Sequence, residues 1–145
     1  MTKDKSKFSI KPNLLKVSKP WGFELILSQE GSKVTSKILH IDSGKRFSLQ
    51  YHDEKEEVLT LLSGEALVYL EDPSGNVQKI PMEVRKGYWI VPFQTHRVEA
   101  QSACEILESS TTETGNTVRL EDDFKRGTET EKSRSSRSPD GTYMG

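Results

Sequence analysis

The stretch that decides the fold reads GKRFSLQYHDEKEEVLTLLSG over residues 44–64. It contains two β-type runs on either side of a polar turn, Asp53–Glu56. Successive side chains of a strand point to opposite faces, so residues two apart share a face. The side chains of Gln50 and His52 can therefore contact the same atom or group. Glu57 opens the second run on the same face as the apolar residues two and four places after it, which predicts that its carboxylate projects inward.

A second stretch, GYWIVPFQTH over residues 87–96, brings a further histidine to the start of a later strand. His96 shares its face with Val98 and Ala100, whereas Arg97 faces the other way. The two stretches together supply four nitrogen and oxygen donors that are predicted to converge inside one barrel: Gln50, His52, Glu57 and His96.

Short β-type runs separated by turns recur through the chain, and no segment has convincing helical periodicity. The predicted strands are residues 23–27, 34–41, 46–51, 57–62, 65–71, 88–91, 96–101 and 103–109. The sequence DPSGN at residues 72–76 predicts a hairpin, because proline fixes φ and glycine or asparagine accepts positive φ. This pattern predicts an all-β sandwich or small barrel.

Imidazole nitrogens, a carboxylate and an amide oxygen suit a borderline divalent cation such as Zn²⁺, Fe²⁺, Mn²⁺, Co²⁺ or Ni²⁺, and ligand type does not choose among them. The alternative is a metal-free barrel in which the same side chains satisfy one another by hydrogen bonds. Burying a carboxylate with two imidazoles is costly without a cation, so metal binding is the favoured interpretation.

Length and composition predict one domain with polar ends. The chain has 145 residues, and residues 126–145 contain only Tyr143 and Met144 as apolar residues. We therefore expect a basic flexible leader over 1–16, a folded domain over 17–127 and a disordered polar tail over 128–145.

Charge and hydropathy exclude several classes of function. Residues 21–125 carry 11 basic and 18 acidic residues, which argues against a nucleic-acid surface. No apolar stretch is long enough to cross a membrane or act as a secretory signal. The single cysteine, Cys104, lies in an apolar run and cannot form an internal disulfide, so a cytoplasmic protein with a structural thiol is expected.

The spacing of the four donors resembles the two motifs of the cupin superfamily, in which a histidine usually stands where this chain has Gln50. SLQYH at residues 48–52, followed by Glu57, is similar to type II mannose-6-phosphate isomerases. Further similarity lies in KPWG at 19–22, HRVEA at 96–100 and VRLEDDF at 118–124, and it covers about residues 17–127. Lys125 departs from the closing motif, where glycine is usual.

The resemblance implies a single cupin-type β-barrel, or jelly roll, whose metal ligands are Gln50, His52, Glu57 and His96. It favours Zn²⁺, with Mn, Fe, Co or Ni compatible with the same donors. It also implies an aldose–ketose isomerase that acts on a phosphorylated sugar, and it allows a homodimer. We expect no nucleic-acid partner and no membrane association. Guanylyltransferase activity is not expected either.

A phosphorylated substrate requires cations, and an isomerase requires a base. Lys37 and Arg97 are predicted as the catalytic-site cations. Lys37, His40 and Glu108 are the candidates for the base, and the residues do not choose among them. Two other functions stay open for the same ligand set: oxygenation or decarboxylation of a small acid, and carbohydrate binding without catalysis.

Overall fold

The computed structural model describes residues 2–135, apart from the side chains of residues 134 and 135, and is almost entirely β-structure. The strands in chain order are β1 Leu15–Lys19, β2 Gly22–Ile26, β3 Val34–Ile41, β4 Leu49–His52, β5 Glu57–Ser63, β6 Ala66–Glu71, β7 Val77–Pro81, β8 Gly87–Ile90, β9 His96–Ala100, β10 Cys104–Thr111 and β11 Thr117–Glu121. One short helix, α1, spans Glu131–Ser135.

The strands form two antiparallel sheets. The first has the order β1-β2-β3-β10-β5-β8, and the second has the order β11-β4-β9-β6-β7. Ile41, Leu59 and Ile106 from the first sheet pack in one core with Val68 and Val98 from the second. The sheets therefore pack face to face, and the prediction of an all-β jelly roll is confirmed.

The inward rows of the strands change from apolar to polar along their length. On β5 the row runs from Leu61 through Leu59 to Glu57, and all three residues are buried. On β10 it runs through Ile106 to Glu108, which is also buried. The same change ends at Lys37 on β3 and at His96 on β9. One end of the jelly roll is thus an apolar core, and the other collects ionisable side chains.

Each of the eight predicted strands overlaps an observed strand, and the predicted turn at 72–76 joins β6 to β7. Three observed strands, β1, β7 and β11, lie outside the predicted set. All three lie at sheet edges, where one side of the ladder has no partner strand among the described residues. Every residue of β7 is exposed, so this strand carries no hydrophobic alternation by which a sequence could reveal it.

Paired backbone extends beyond both predicted domain boundaries. Strand β1 begins at Leu15, within the predicted leader, and pairs with β2. In the predicted tail, the Glu129 amide donates to the Thr117 carbonyl and the Thr117 amide donates to the Glu129 carbonyl, both at 2.8 Å. Helix α1 follows. The rest of the predicted tail, residues 136–145, lies outside the described residues.

Two further observations concern the exclusions drawn from composition. In residues 2–135 no helix has the length and apolar character needed to cross a membrane. Cys104 is buried in the core cluster, where burial raises the pKa of its thiol to about 11. A thiol with a raised pKa is a poor nucleophile at neutral pH, which agrees with a structural role.

Candidate metal centre

Three buried side chains bring ligand atoms together at the polar end of the jelly roll. The ligand-capable atoms of His52, Glu57 and His96 all lie within 4.8 Å of one another. Glu57 Oε1 is 3.0 Å from His96 Nε2 and 3.8 Å from His52 Nε2. Three of the four donors predicted from spacing therefore meet, and they come from three separate strands, β4, β5 and β9.

The orientation of His96 leaves an acceptor pointing into the cluster. Its Nδ1 is 2.9 Å from the Gln94 carbonyl oxygen, which only accepts, so Nδ1 carries the proton. Nε2 is buried and has no hydrogen-bond partner among the described residues, although Glu57 Oε1 is 3.0 Å away. In the neutral imidazole with this tautomer, Nε2 presents a lone pair to the carboxylate oxygen, an arrangement that a cation bound by both atoms would stabilise.

The His52 ring is also held by a hydrogen bond at the nitrogen that points away from the cluster. Its Nδ1 lies 2.9 Å from the Thr117 hydroxyl on β11, which fixes the ring and directs Nε2 toward Glu57. Burial lowers the pKa of His52, and the nearby Lys55 charge acts in the same direction. The neutral imidazole is the form that binds a metal, so this environment favours ligation.

Gln50 lies beside the cluster, and its side-chain amide forms a hydrogen bond with Ser48. Its Oε1 accepts from the Ser48 hydroxyl, and its Nε2 is 3.5 Å from His52 Nε2. A half-turn of the amide exchanges the oxygen and nitrogen, and the Ser48 hydroxyl, which both donates and accepts, can satisfy either orientation. The flipped amide directs its oxygen toward His52, so the residues present fit a cation with two imidazoles, a carboxylate and an amide oxygen.

A buried lysine balances the charge of this cluster. Lys55 Nζ is 3.2 Å from Glu57 Oε2 and 3.3 Å from Glu108 Oε2. Burial alone would raise the pKa of Glu57, but the Lys55 charge and the contacts with His52 and His96 hold it well below its usual range. Burial alone would lower the pKa of Lys55, but the carboxylates of Glu108 and Glu57 raise it above its usual value. Glu57 is therefore an ionised carboxylate beside a positively charged lysine.

Lys37 lies in the same cavity wall but is engaged by carboxylates. Its Nζ is 3.5 Å from both Glu24 Oε1 and Glu113 Oε2. Burial opposes the charge, yet Glu24 and Glu113 raise the pKa of Lys37 above its ordinary value. The raised pKa favours the protonated form of Lys37 at neutral pH, which does not suit a general base.

Two other predicted residues lie elsewhere. Arg97 is buried, but its Nε donates to the Phe47 carbonyl at 3.0 Å and its guanidinium packs over Tyr69, so it does not line the cavity. His40 stacks on Phe23 with ring centroids 4.7 Å apart and is also outside the cavity. Of the three candidates for a base, Glu108 is the carboxylate on the cavity wall.

Several cavity residues could not be identified from spacing. Lys55 was predicted as part of a polar turn, yet its side chain folds inward and is only 6% exposed. Thr117 and Arg119 belong to β11, an edge strand outside the predicted set. Thr117 and Arg119 are two apart in the sequence, which indicates that they share one face of a strand. Their pairing with His52 and Gln50 shows that this face is the inward one.

The cavity in front of the ligands is small, with a volume of about 80 Å³. A wider cleft of about 410 Å³ shares part of its wall with it, through Lys19, Arg119, Arg126 and Glu129. Ligand pockets in proteins usually have volumes of roughly 300–1,000 Å³, so the two spaces together reach that range and the inner one alone does not.

Comparison with known proteins shows the fold. No known protein family matches the sequence, and no curated protein matches it either. Among solved structures, the capsular polysaccharide assembling protein CapF from Staphylococcus aureus superposes with a TM-score of 0.61 at 14% identity, over 88% of this chain and 33% of CapF. A variant of oxalate decarboxylase from Bacillus subtilis superposes with a TM-score of 0.57 at 12% identity, over 72% of this chain and 30% of that one.

KdgF from a Halomonas species has a TM-score of 0.57 at 14% identity, over 68% of this chain and 88% of KdgF. All three are cupin-fold proteins, so the chain has the cupin fold that the motif spacing indicated. It spans about a third of the length of CapF and of oxalate decarboxylase.

Proposed function

We propose that this chain is a metal-dependent cupin that interconverts an aldose phosphate and a ketose phosphate, of the mannose 6-phosphate and fructose 6-phosphate type. The proposed ligands are Gln50, His52, Glu57 and His96. The observation that supports the metal is the convergence of the ligand-capable atoms of His52, Glu57 and His96, which all lie within 4.8 Å of one another. Zn²⁺ is the first candidate, and Fe²⁺, Mn²⁺, Co²⁺ and Ni²⁺ suit the same donors.

The isomerase proposal is supported by a carboxylate, Glu108, that lies on the cavity wall beside a lysine. When bound, a divalent cation would polarise the sugar carbonyl and hold the neighbouring hydroxyl oxygen. The Glu108 carboxylate faces the cavity, accepts from the Ser110 hydroxyl at 2.9 Å and lies 3.3 Å from the Lys55 ammonium. A carboxylate in this position can carry a proton between two adjacent carbons.

The proposed chemistry conserves every atom of the sugar. Glu108 takes the proton from the carbon next to the carbonyl, which gives an enediolate, and returns it to the former carbonyl carbon. The proton of the hydroxyl group moves to the former carbonyl oxygen as the new carbonyl forms. Lys55 places a fixed positive charge beside the negative charge that develops on these oxygens. Burial of both residues keeps bulk water from this charge.

Deuterium exchange tests the proposal directly. Metal-loaded protein in D₂O is mixed with mannose 6-phosphate and, separately, with fructose 6-phosphate, and NMR follows deuterium at C1 and C2. We expect interconversion with exchange, which a chelator abolishes. Glu108→Gln should retain the metal and lose exchange, whereas Glu56→Gln, a change at an exposed neighbour of the site, should retain both.

Folded, metal-loaded protein that shows neither interconversion nor exchange would contradict the isomerase proposal. Oxygen uptake or release of CO₂ from a small acid in the same preparation would instead assign the site to other cupin chemistry. Protein that lacks metal after purification and does not bind Zn²⁺, Mn²⁺ or Fe²⁺ on titration would contradict the ligand set.

A further inference from the structure

The wider cleft outside the ligand cavity is unusually cationic for this protein. Its ionisable lining residues are Lys19, Arg119, Arg126 and Glu129, which sum to a charge of +2. Two of the cations also face carboxylates: Lys19 Nζ is 3.9 Å from Glu24 Oε1, and Arg119 is paired with Glu129. The whole chain has a formal net charge of −1. All four of these residues also line the inner cavity, so the positive charge lies where the two spaces join.

Arg119 is the residue at that junction. It pairs with Gln50 across the β4–β11 ladder, and side chains directly opposite each other in such a pair lie on the same face, roughly 5 Å apart at Cβ. One guanidinium nitrogen donates to the Gly127 carbonyl at 2.6 Å, and another lies 3.4 Å from Glu129 Oε2. Arg119 Nε is buried and has no hydrogen-bond partner in the described part of the chain.

Arg126 faces the same cleft and is held rigidly. Its Nε donates to Asp122 Oδ2 at 2.8 Å and its Nη2 to Oδ1 at 3.3 Å, while the Asp122 side chain is only 3% exposed. This fork uses two of the five N–H groups of the guanidinium, so three remain to bind a ligand. Burial lowers the pKa of Arg119, and the Arg126 charge acts in the same direction, because the two cations lie near each other.

Two clustered guanidiniums and an ammonium at a cavity mouth match the charge and shape of a phosphate group, which arginine binds through paired N–H groups. The outer cleft has about five times the volume of the inner cavity, by the figures of 410 and 80 Å³. A ligand whose reactive end reaches the metal ligands therefore has its remaining atoms in the cationic cleft.

We propose that Arg119, Arg126 and Lys19 form the subsite for the phosphate monoester of the substrate. This subsite replaces the predicted role of Arg97, whose guanidinium lies outside the cavity, and leaves Lys37 to its ion pairs with Glu24 and Glu113. The identity of the ligand's reactive end rests on the proposed function, but binding of a phosphate at the mouth does not.

Calorimetry at constant ionic strength tests the subsite with three probes: mannose 6-phosphate, mannose and inorganic phosphate. Arg126→Gln and Lys19→Met should each weaken binding of the two phosphate-bearing probes by about tenfold, the cost of one lost charge-assisted hydrogen bond. Binding of mannose should not change. Arg119→Gln should have the same effect, and its melting temperature is measured in parallel because this side chain is only 13% exposed.

Arg46→Gln is the matched control. Arg46 also forks onto an aspartate, with Nε 2.8 Å and Nη2 3.0 Å from Asp123, but it does not line either space. If Arg46→Gln and Arg126→Gln weaken phosphate binding equally, the effect depends only on net charge and the subsite is overturned. Unchanged phosphate binding in folded Arg126→Gln and Lys19→Met would overturn it as well.

The metal-deficient variant His52→Ala separates this proposal from the proposed function. Inorganic phosphate should still bind to it with an affinity within about threefold of the parent protein, since the subsite uses no metal ligand. Loss of phosphate binding in Arg126→Gln, in a protein that shows no isomerase activity, would support the subsite and contradict the isomerase. Isomerase activity with unaltered affinity for the phosphorylated sugar in all three variants would support the isomerase and contradict the subsite.

Discussion

At the scale of single residues, the centre depends on two imidazoles whose outer nitrogens are fixed by Thr117 and by the Gln94 carbonyl. We predict that His52→Ala and His96→Ala each release the metal, because each removes a buried ligand and leaves Glu57 without its partner. Elemental analysis of the purified variants checks this. His40→Ala, at a histidine outside the cavity, should keep full metal content; unchanged metal in both ligand variants would contradict the assignment.

Lys55 is a residue whose removal should cost substantial stability, because two buried carboxylates share its charge. Lys55→Met leaves Glu57 and Glu108 buried without their shared cation, and breaking a buried ion pair from one side typically costs about 3–5 kcal/mol. Urea unfolding of the apo protein measures the change. Lys86→Met, which breaks an exposed pair with Glu83, is the control and should give no measurable change. Equal midpoints for the two variants would show that Lys55 has little structural role.

At the scale of elements, the turn between β5 and β6 depends on Gly64. Its φ is +82°, and an added Cβ would overlap the Ala103 carbonyl and Cys104 on the neighbouring chain segment. Gly64→Ala should therefore lower stability by more than the roughly 1–2 kcal/mol of left-handed backbone alone. Gly44→Ala, at φ +77° with no atom within 4 Å of the new Cβ, measures the backbone cost by itself. Equal urea midpoints would contradict the close approach.

The segment after β11 supports the centre through Thr117. Truncation after residue 127 removes the two Thr117–Glu129 backbone hydrogen bonds and the Glu129 carboxylate beside Arg119. Since Thr117 orients His52, we expect a lower melting temperature and weaker metal binding. Truncation after residue 135 is the control, and the composition of the removed residues predicts no change. Metal affinity and melting temperature that are equal in both truncated proteins would show that the segment is dispensable.

At the scale of the whole molecule, the apolar core adjoins the ionisable centre, and core residues such as Phe47 and Leu59 form part of the cavity wall. Ile41, Val68 and Ile106 are fully buried at the apolar end and need no metal to pack. We predict that chelation leaves the protein folded at 25 °C but lowers its melting temperature. A metal at about 100 times its Kd stabilises a protein by about 2.7 kcal/mol.

Differential scanning calorimetry with and without chelator measures this shift, and re-addition of Zn²⁺ should reverse it. The His52→Ala protein should show no response to either treatment. Unfolding of the protein on chelation at 25 °C would contradict a core that packs without the metal. Removal of the metal with an unchanged melting temperature would contradict the stabilisation expected from metal binding.

Local patterns in the sequence were sufficient to predict the fold class and the meeting of His52, Glu57 and His96. Alternation with a period of two is a local property of a strand. Glu57 could therefore be assigned to the inward face with Leu59 and Leu61 from the sequence of residues 57–61 alone. The spacing of Gln50 and His52 within one strand is equally local. Turn chemistry at residues 72–76 needed no distant contact, and the hairpin formed as predicted.

Lys37 is a predicted cation that lines the cavity, but the other cavity cations could be identified only from the tertiary structure. Lys55 lies in a polar turn that any solvated loop could contain, and it is buried because Glu108, from a strand 53 residues away in sequence, supplies a second carboxylate. Arg97 adjoins His96 in sequence but points to the opposite face, whereas Arg119 reaches the centre because β11 pairs with β4. Ligand spacing within a strand is encoded locally, but charge partners come from pairing between distant strands, which a single sequence does not reveal.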